Sequence, residues 1–468
     1  MQIQILNGIY ADSTPELRTS YPVNMVPVPK KSGISNGFLR PADGLVSNGS
    51  GPGTSRGGIN WNGICYRVMG TKLVTVASDG TVAVLGDVGG PITEQVTMDY
   101  SFDLLAIASG GRLYYWDETT LTQVTDPDLG VVLDVLWVDG YFMTTDGTSL
   151  IVTELTNPMQ VNPLKYGSSE IDPDPVVALL KLRNEVYALN RNTIEVFDNV
   201  GGDLFPFQRI EGAQIQKGVI GTHGCCVFIQ TIAFIGGGRN EAPSIYLGAS
   251  ANTVKISTQE IDTILLNYTE AQLAVVLLEA RNDKSHQHLY IHLPDRVVVY
   301  DASASQALGE PVWFTLTSAI IGFAQYRARN MVWCYDKWLV GDTQSSTIGF
   351  MVQDIGSNWG QLVRWEFGTI IVYNAGNGAI FNELELVALT GSIAIGSTPQ
   401  ISTSYSVDGK SWSQDRSIYA GTTGNTQKRL AWFQQGNMRN WRVQRFRGDS
   451  QSHLSFARLE AQIEALAY

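Results

Sequence analysis

Charge is scarce in this chain. Only 16% of its 468 residues are Asp, Glu, Lys or Arg, against about a quarter in an ordinary globular protein. The balance is acidic: 44 carboxylates stand against 32 Lys and Arg, for a formal net charge of −12. Gripping a phosphate backbone means neutralising it with cations. The composition therefore argues against a protein that holds nucleic acid, while fitting one that nucleic acid must pass without sticking. Cysteine is nearly absent, with Cys65, Cys225, Cys226 and Cys334 and no C-x-x-C pair. That excludes a disulfide scaffold or a cysteine zinc module. The four read as buried, reduced thiols of a protein made in a reducing compartment. No run of about 18 apolar residues occurs, so no membrane-spanning helix is expected. The opening MQIQILNGIYADSTPELR lacks the basic and apolar regions of a secretory signal. Also missing are G-x-S-x-G, H-E-x-x-H and a P-loop.

What is present points to strands. There are 47 glycines, and 44% of residues are hydrophobic. With so little charge, this suits an all-β protein with many turns, and the length suits two or three domains. Residues 1–55, rich in Pro, Gly, Ser and Asn, read as an extended N-terminal arm lying on this chain or on a neighbour. From residue 56, short β-branched and aromatic runs alternate with tight turns such as Asp79-Gly80, Asp139-Gly140 and Asp146-Gly147. Comparable runs begin at 72, 112, 149, 193, 244, 296 and 337. A loose period in the forties of small antiparallel sheets predicts a β-propeller of six or seven blades over 56–350. A short helical insertion is expected near 257–273, where Ser257–Glu260 and Thr269–Gln272 each read as a capping box. Residues 351–468 read as a smaller C-terminal β-sandwich-like domain. Its arginines, Arg429, Arg439, Arg442, Arg445 and Arg447, lie among Trp432, Phe433 and Trp441. The alternation at Arg442 and Val443 suggests the charged face of an edge strand, turned to an acidic protein partner rather than to nucleic acid.

Three of the five histidines, His286, His288 and His292, fall within seven residues. On a strand they share a face, and imidazoles suit zinc. At roughly 3.3 Å per residue, however, His286 and His292 lie about 20 Å apart, so one ion cannot touch both. His288 could pair with either, with Asp295 or Asp301 beyond the next turn contributing. The quieter reading, a hairpin whose imidazoles satisfy local hydrogen bonds or face a neighbouring chain, is preferred. Other loops are equally quiet. The glycines of IGGGRNEAPS lack the Lys of a phosphate loop. SVDGKSW is one residue short of a sialidase Asp-box and reads as an Asp-Gly hairpin over Trp412. EIDPDP lacks the glycine of a calcium loop. No catalytic, cofactor-binding or metal residues are assigned.

The stretch SHQHLYIHLPDRVVVYDASASQ resembles the most recognisable part of the packaged-DNA stabilisation proteins of short-tailed phages, the tail hub or nozzle proteins. Ser285, His286, His292, Leu293, Pro294, Val297, Val299, Tyr300, Asp301, Ala302, Ser303, Ser305 and Gln306 fit that pattern. Ala304 departs from it, and His288 stands where an apolar residue is expected. Pro22, Val23, Asn24 and Met25 resemble the family's arm; Arg56, Tyr66 and Arg67 resemble its first blade. The resemblance implies a propeller-bearing structural protein of the virion, made in the bacterial cytoplasm and without catalysis or cofactor. It implies six copies in a ring below portal and adaptor proteins, a needle or plug beneath, and spikes or fibres at the side. Double-stranded DNA would pass through the lumen, retained after packaging and released at ejection. The alternative is a free-standing β-propeller that binds a glycan or protein ligand.

Overall fold

The computed structural model describes residues 1–6, 9–10, 19–30, 35–393 and 395–466. Seven antiparallel blades follow one another along the chain. The first is Ser55–Trp61, Ile64–Met69, Lys72–Val76 and Val82–Asp87, in that spatial order. The next five span 97–123, 134–168, 176–209, 218–255 and 277–316. In the fifth, the innermost position is split between Gly218–Val219 and Cys225–Phe228. The seventh takes three strands, Ala328–Cys334, Lys337–Asp342 and Thr347–Val352, and a fourth from the arm, Gly44–Ser50. The innermost strands touch in sequence around a closed circle, and Ala328–Cys334 returns to Ser55–Trp61.

Strands packed between neighbouring blades are covered on both faces, so they read as unbroken apolar runs rather than as alternation. Val297–Asp301 is buried at every position. Side chains also reach across the gaps. Asp99 Oδ2 accepts from Trp137 N of the third blade at 2.6 Å. Asp134 Oδ2 accepts from Leu179 N of the fourth at 2.8 Å. Glu279 takes Asn330 N and Met331 N of the seventh at 3.1 and 2.7 Å. Arg329 closes the circle with two bonds to Ser55 O, 3.0 and 2.7 Å. Burial pushes the Asp134 carboxyl up to about 7 and raises Asp99 as well.

The arm belongs to both domains. Met25–Pro29 and Gly37–Pro41 pair with each other, and the second continues onto Phe456–Ala465 in the larger sheet of the C-terminal sandwich. Gln2–Ile3 pairs with Phe456–Ala465 too. That sheet also holds Ala379–Ala388 and Leu430–Phe433. The facing sheet orders Arg364–Gly368, Trp441–Asp449, Gln400–Ser406 and Arg416–Tyr419. Ile3, Ile5, Met25 and Leu39 of the arm share one core with Trp365, Phe367, Phe381, Phe446 and Phe456.

Several sequence expectations change. Of the seven aligned runs, the first six are third strands, but Lys337–Asp342 is the second strand of its blade, because the arm supplies the fourth. Strand Gly44–Ser50 lies before residue 55 yet completes the propeller. Ser257 is not a helix cap: its hydroxyl accepts from Ile245 N, and α1, Gln259–Leu265, starts after Thr258. The second box is present, with Thr269 and Gln272 capping α2, Glu270–Leu273, reciprocally. A third helix not foreseen, α3, spans Ala302–Leu308; Asp301 caps it through Ala304 N, and Gly309 ends it at φ 77°. Arg442 does not lie on an edge strand, since Trp441–Asp449 has neighbours on both sides. Cys65, Cys225 and Cys334 are buried thiols, whereas Cys226 is partly exposed.

Candidate functional site at the arm, sixth blade and sandwich

The three histidines lie on strand His286–His292, between Leu277–Asp283 and Val297–Asp301. Its even face, His286, His288, Tyr290 and His292, carries a chain of ring contacts toward the seventh blade and the arm. Each histidine stands beside a carboxylate. His286 Nδ1 is 2.6 Å and His288 Nε2 3.2 Å from the same atom, Asp301 Oδ2. His292 Nε2 lies 2.9 Å from Glu279 Oε2, so it is apart from the other two. Burial works against charge on Asp301, but His286, His288 and the α3 amide outweigh it and hold the carboxyl well below its usual range. Burial lowers the His288 imidazole.

On the paired strand, Arg281 Nη2 lies 2.7 Å from Asp43 Oδ2 of the arm and 2.5 Å from Asp283 Oδ2. Its Nη1 donates to Tyr290 OH at 3.2 Å. Asp43 also accepts from Arg40 at 2.8 Å. Burial opposes its charge, but the two guanidiniums draw the Asp43 carboxyl down to about 2.

The arm motif is a three-way staple. Pro22 O accepts from Thr315 N of the sixth blade, and Val23 exchanges bonds with Glu366 of the sandwich at 2.8 and 3.0 Å. Asn24, at φ 51°, donates through Nδ2 to Thr317 O and Arg364 O at 2.9 and 2.7 Å. Its Oδ1 accepts from Thr317 N at 3.0 Å. Asparagine is among the few residues that tolerate this left-handed backbone. Met25 is buried in the sandwich core.

The first-blade arginines are structural as well. Arg56 is fully buried and donates to Glu94 O, Gly70 O, Gly89 O and Ser109 Oγ, tying the first blade to the second. Arg67 reaches Ser55 Oγ and, in the seventh blade, Asn330 O. Tyr66 packs on Trp61 with ring centroids 5.5 Å apart, and Tyr300 on Trp313 at 5.2 Å. Pro294 and Gln306 are exposed and Ser303 is half-buried, outside the buried cluster. Asp43, Glu279 and Arg281 were missed in the sequence reading. Their signal was a charge set inside an apolar strand or next to one, as in LLEARND.

The remaining candidates resolve into local structure. Gly236 lets strand Thr231–Gly237 approach Gly218 O, which a Cβ would meet at 1.9 Å. Asp408 caps its own turn through Lys410 N and Ser411 N. Asp174 accepts from Asn192 N and Thr193 N. Of the C-terminal arginines, Arg429 pairs with Glu383 and Glu385, and Arg447 with Asp415. Arg442 is buried between the Phe381 and Tyr405 rings, 4.2 and 3.8 Å away. Burial there lowers the guanidinium to about 9. Most of the basic cluster is thus engaged within the chain. Chemically, the junction offers a set of metal donors, with one nitrogen from each of His286 and His288 and one Asp301 oxygen all within 4.8 Å. No helix among the described residues is long and apolar enough to cross a membrane.

The family described as "Bacteriophage P22 Gp10, beta-propeller" matches residues 1–356, and "Bacteriophage P22 Gp10, beta-sandwich" matches 364–464. The chain belongs to the phage P22 gp10 family. Tail hub protein gp10 of Salmonella phage P22 is 29% identical over 441 residues, covering 89% of each protein. As a member of the gp10 family, the chain is a structural tail hub protein of a virion tail, with the propeller and sandwich the family descriptions name. Solved structures of other proteins are more distant. PorZ of the Porphyromonas gingivalis type-IX secretion system aligns at TM-score 0.41 and 10% identity, over 80% of this chain and 46% of PorZ. The WD40 domain of Neurospora crassa Pan2 aligns at 0.42 and 8% identity, over 66% of this chain and 95% of that domain.

Proposed function

We propose that six copies of this chain close into a ring below the portal and its adaptor. The ring extends the DNA channel, retains the packaged genome and lets it leave at ejection. The observation that carries this reading is the kinship to a tail hub protein across both domains, at equal coverage of the two proteins. Membership of a structural family speaks against an enzyme.

Physical features support the same reading. A ring needs a head-to-tail interface repeated around an axis, and that favours a rigid subunit. The arm gives rigidity by knitting propeller and sandwich together through Val23, Asn24 and Asp43. The net charge of −12 suits a wall along which phosphates must slide. Asp99, Asp134 and Glu279 are engaged between blades, so exposed carboxylates would supply that repulsion. A needle or plug below and spikes or fibres at the side complete the proposed contacts.

Native mass spectrometry of the chain, alone and mixed with its phage's portal–adaptor complex, tests the proposal. Uptake of six copies per complex is the expected result. A monomer that ignores the complex overturns it.

A further inference from the structure

Asp301 Oδ2 is approached by two imidazoles, His286 Nδ1 at 2.6 Å and His288 Nε2 at 3.2 Å. If both contacts are hydrogen bonds to a carboxylate, His286 carries its proton on Nδ1 and His288 on Nε2. His288 Nδ1 is then a bare nitrogen in the interior, on a side chain 3% exposed, with no hydrogen-bond partner among the described residues. As a stabilising pair this is poorly compensated. A different occupant of the space accounts for the same geometry.

We propose that His286, His288 and Asp301 form a transition-metal site of the zinc type on the sixth blade. The donors, two imidazole nitrogens and one carboxylate oxygen, match zinc's preferences and not those of calcium or magnesium, which take mostly oxygen. They converge within 4.8 Å. Zinc bonds of about 2.0–2.2 Å to each would need only small side-chain shifts. The second Asp301 oxygen stays on Ala304 N, which fixes the carboxylate's orientation as an outer-shell bond does. Binding at His288 Nε2 moves that ring's proton to Nδ1. His288 walls a small cavity with Asp43, Tyr290 and Tyr326; Nδ1 has no partner as the ring stands, so a small turn of the ring toward that cavity would have to bring an acceptor to the proton. Access is from the hairpin at Lys284, beside His286, which is 9% exposed; a water there would complete a tetrahedron. Arg281 sends positive charge toward His288, but Asp43 and Asp283 pair with it. His292 is excluded, because it stands beside Glu279.

The test strips the full-length chain with a chelator and titrates it with zinc chloride, following heat and thermal melting; cobalt(II) absorption reports coordination geometry. One equivalent per chain, with a raised melting temperature and a tetrahedral cobalt spectrum, is expected. His288→Leu and His286→Asn should each weaken uptake more than about tenfold, whereas His292→Asn should retain it. Absence of stoichiometric uptake by the folded wild-type chain overturns the proposal, as does uptake unchanged in both ligand variants. Melting curves identify any variant that fails to fold, and the wild-type titration decides independently of them.

Discussion

Asp43 of the arm and Arg281 of the sixth blade form an ion pair sealed from water, 2.7 Å apart with both side chains 4% exposed. Replacing Asp43 by Asn leaves Arg281 with Asp283 as its ion-pair partner and Tyr290 OH as a neutral one. Removing one partner of a buried pair costs on the order of 3–5 kcal/mol; the remaining carboxylate should hold the loss for Asp43→Asn to about 2–3 kcal/mol. Chemical denaturation of the variant checks this, and an unchanged midpoint would show that the pair contributes nothing net.

Asn24→Ala removes three hydrogen bonds at the staple and places alanine at φ 51°. At about 1 kcal/mol per bond, with a further penalty for the backbone, roughly 3–4 kcal/mol is lost. The loss should loosen the sandwich from the propeller first. Limited proteolysis should therefore cut between 352 and 364 sooner than in the wild type, with the propeller fragment persisting.

Asp134 gives a pH signature. Its folded carboxyl is pushed up to about 7 from a reference of 3.8, chiefly by burial. Between these values the folded chain holds a proton that the unfolded chain has released. This group's contribution is therefore most favourable below pH 3.8 and declines as pH rises toward 7. His288 and His223 act oppositely: burial lowers both, His223 to about 4, so their contribution falls as pH drops below 6.5. Asp134→Asn removes only the first effect. The stability difference between variant and wild type should shift in the variant's favour by on the order of a few kcal/mol from pH 4 to pH 7. A difference independent of pH would refute the assignment.

Gly80 turns at φ 88°, and a Cβ there would stand 1.6 Å from Asn48 O of the arm strand. Gly80→Ala should cost about 2–4 kcal/mol by combining backbone strain with a clash. Gly63, at φ 78° with open space around it, supplies the comparison: Gly63→Ala should cost only about 1 kcal/mol. Equal melting temperatures for the two variants would mean that the arm strand does not press on that turn.

The blades were legible because a strand covered on both faces announces itself as a short apolar run bounded by Gly, Asp and Asn turns. Six of the aligned runs fell on the same strand of their blades for that reason. The seventh did not, since nothing local in DGLVSNGS says that it pairs with Thr347–Val352. Ser257 misled because S-x-x-E is satisfied equally well by a serine that closes a strand end, as its bond from Ile245 N does. Tyr290 and the histidines stand out on their own strand, but a partner such as Asp43, which reaches that strand's neighbour Arg281, lies far off in sequence. The arginines misled in the other direction. Their alternation looked like a surface, whereas Arg442 is sunk between two rings and bonded to Gln435 O and Gln444 Oε1.

The stitching of the arm sets a timetable for synthesis. Asn24 must wait for Thr317, 293 residues later, and the strand Gly44–Ser50 for Thr347–Val352. A ribosome adding about 5–20 residues per second leaves the arm without these partners for roughly 15–60 seconds. During that time blades one to six can form as local hairpins, but the circle stays open, and the apolar MVPVP and GFLRP segments have no sheet to join. Closure and docking of the sandwich then come late and nearly together. A chain stalled or truncated before about residue 350 should thus present unpaired strand edges, and aggregation of such fragments, rather than slow folding of the complete protein, would be the main hazard in its production.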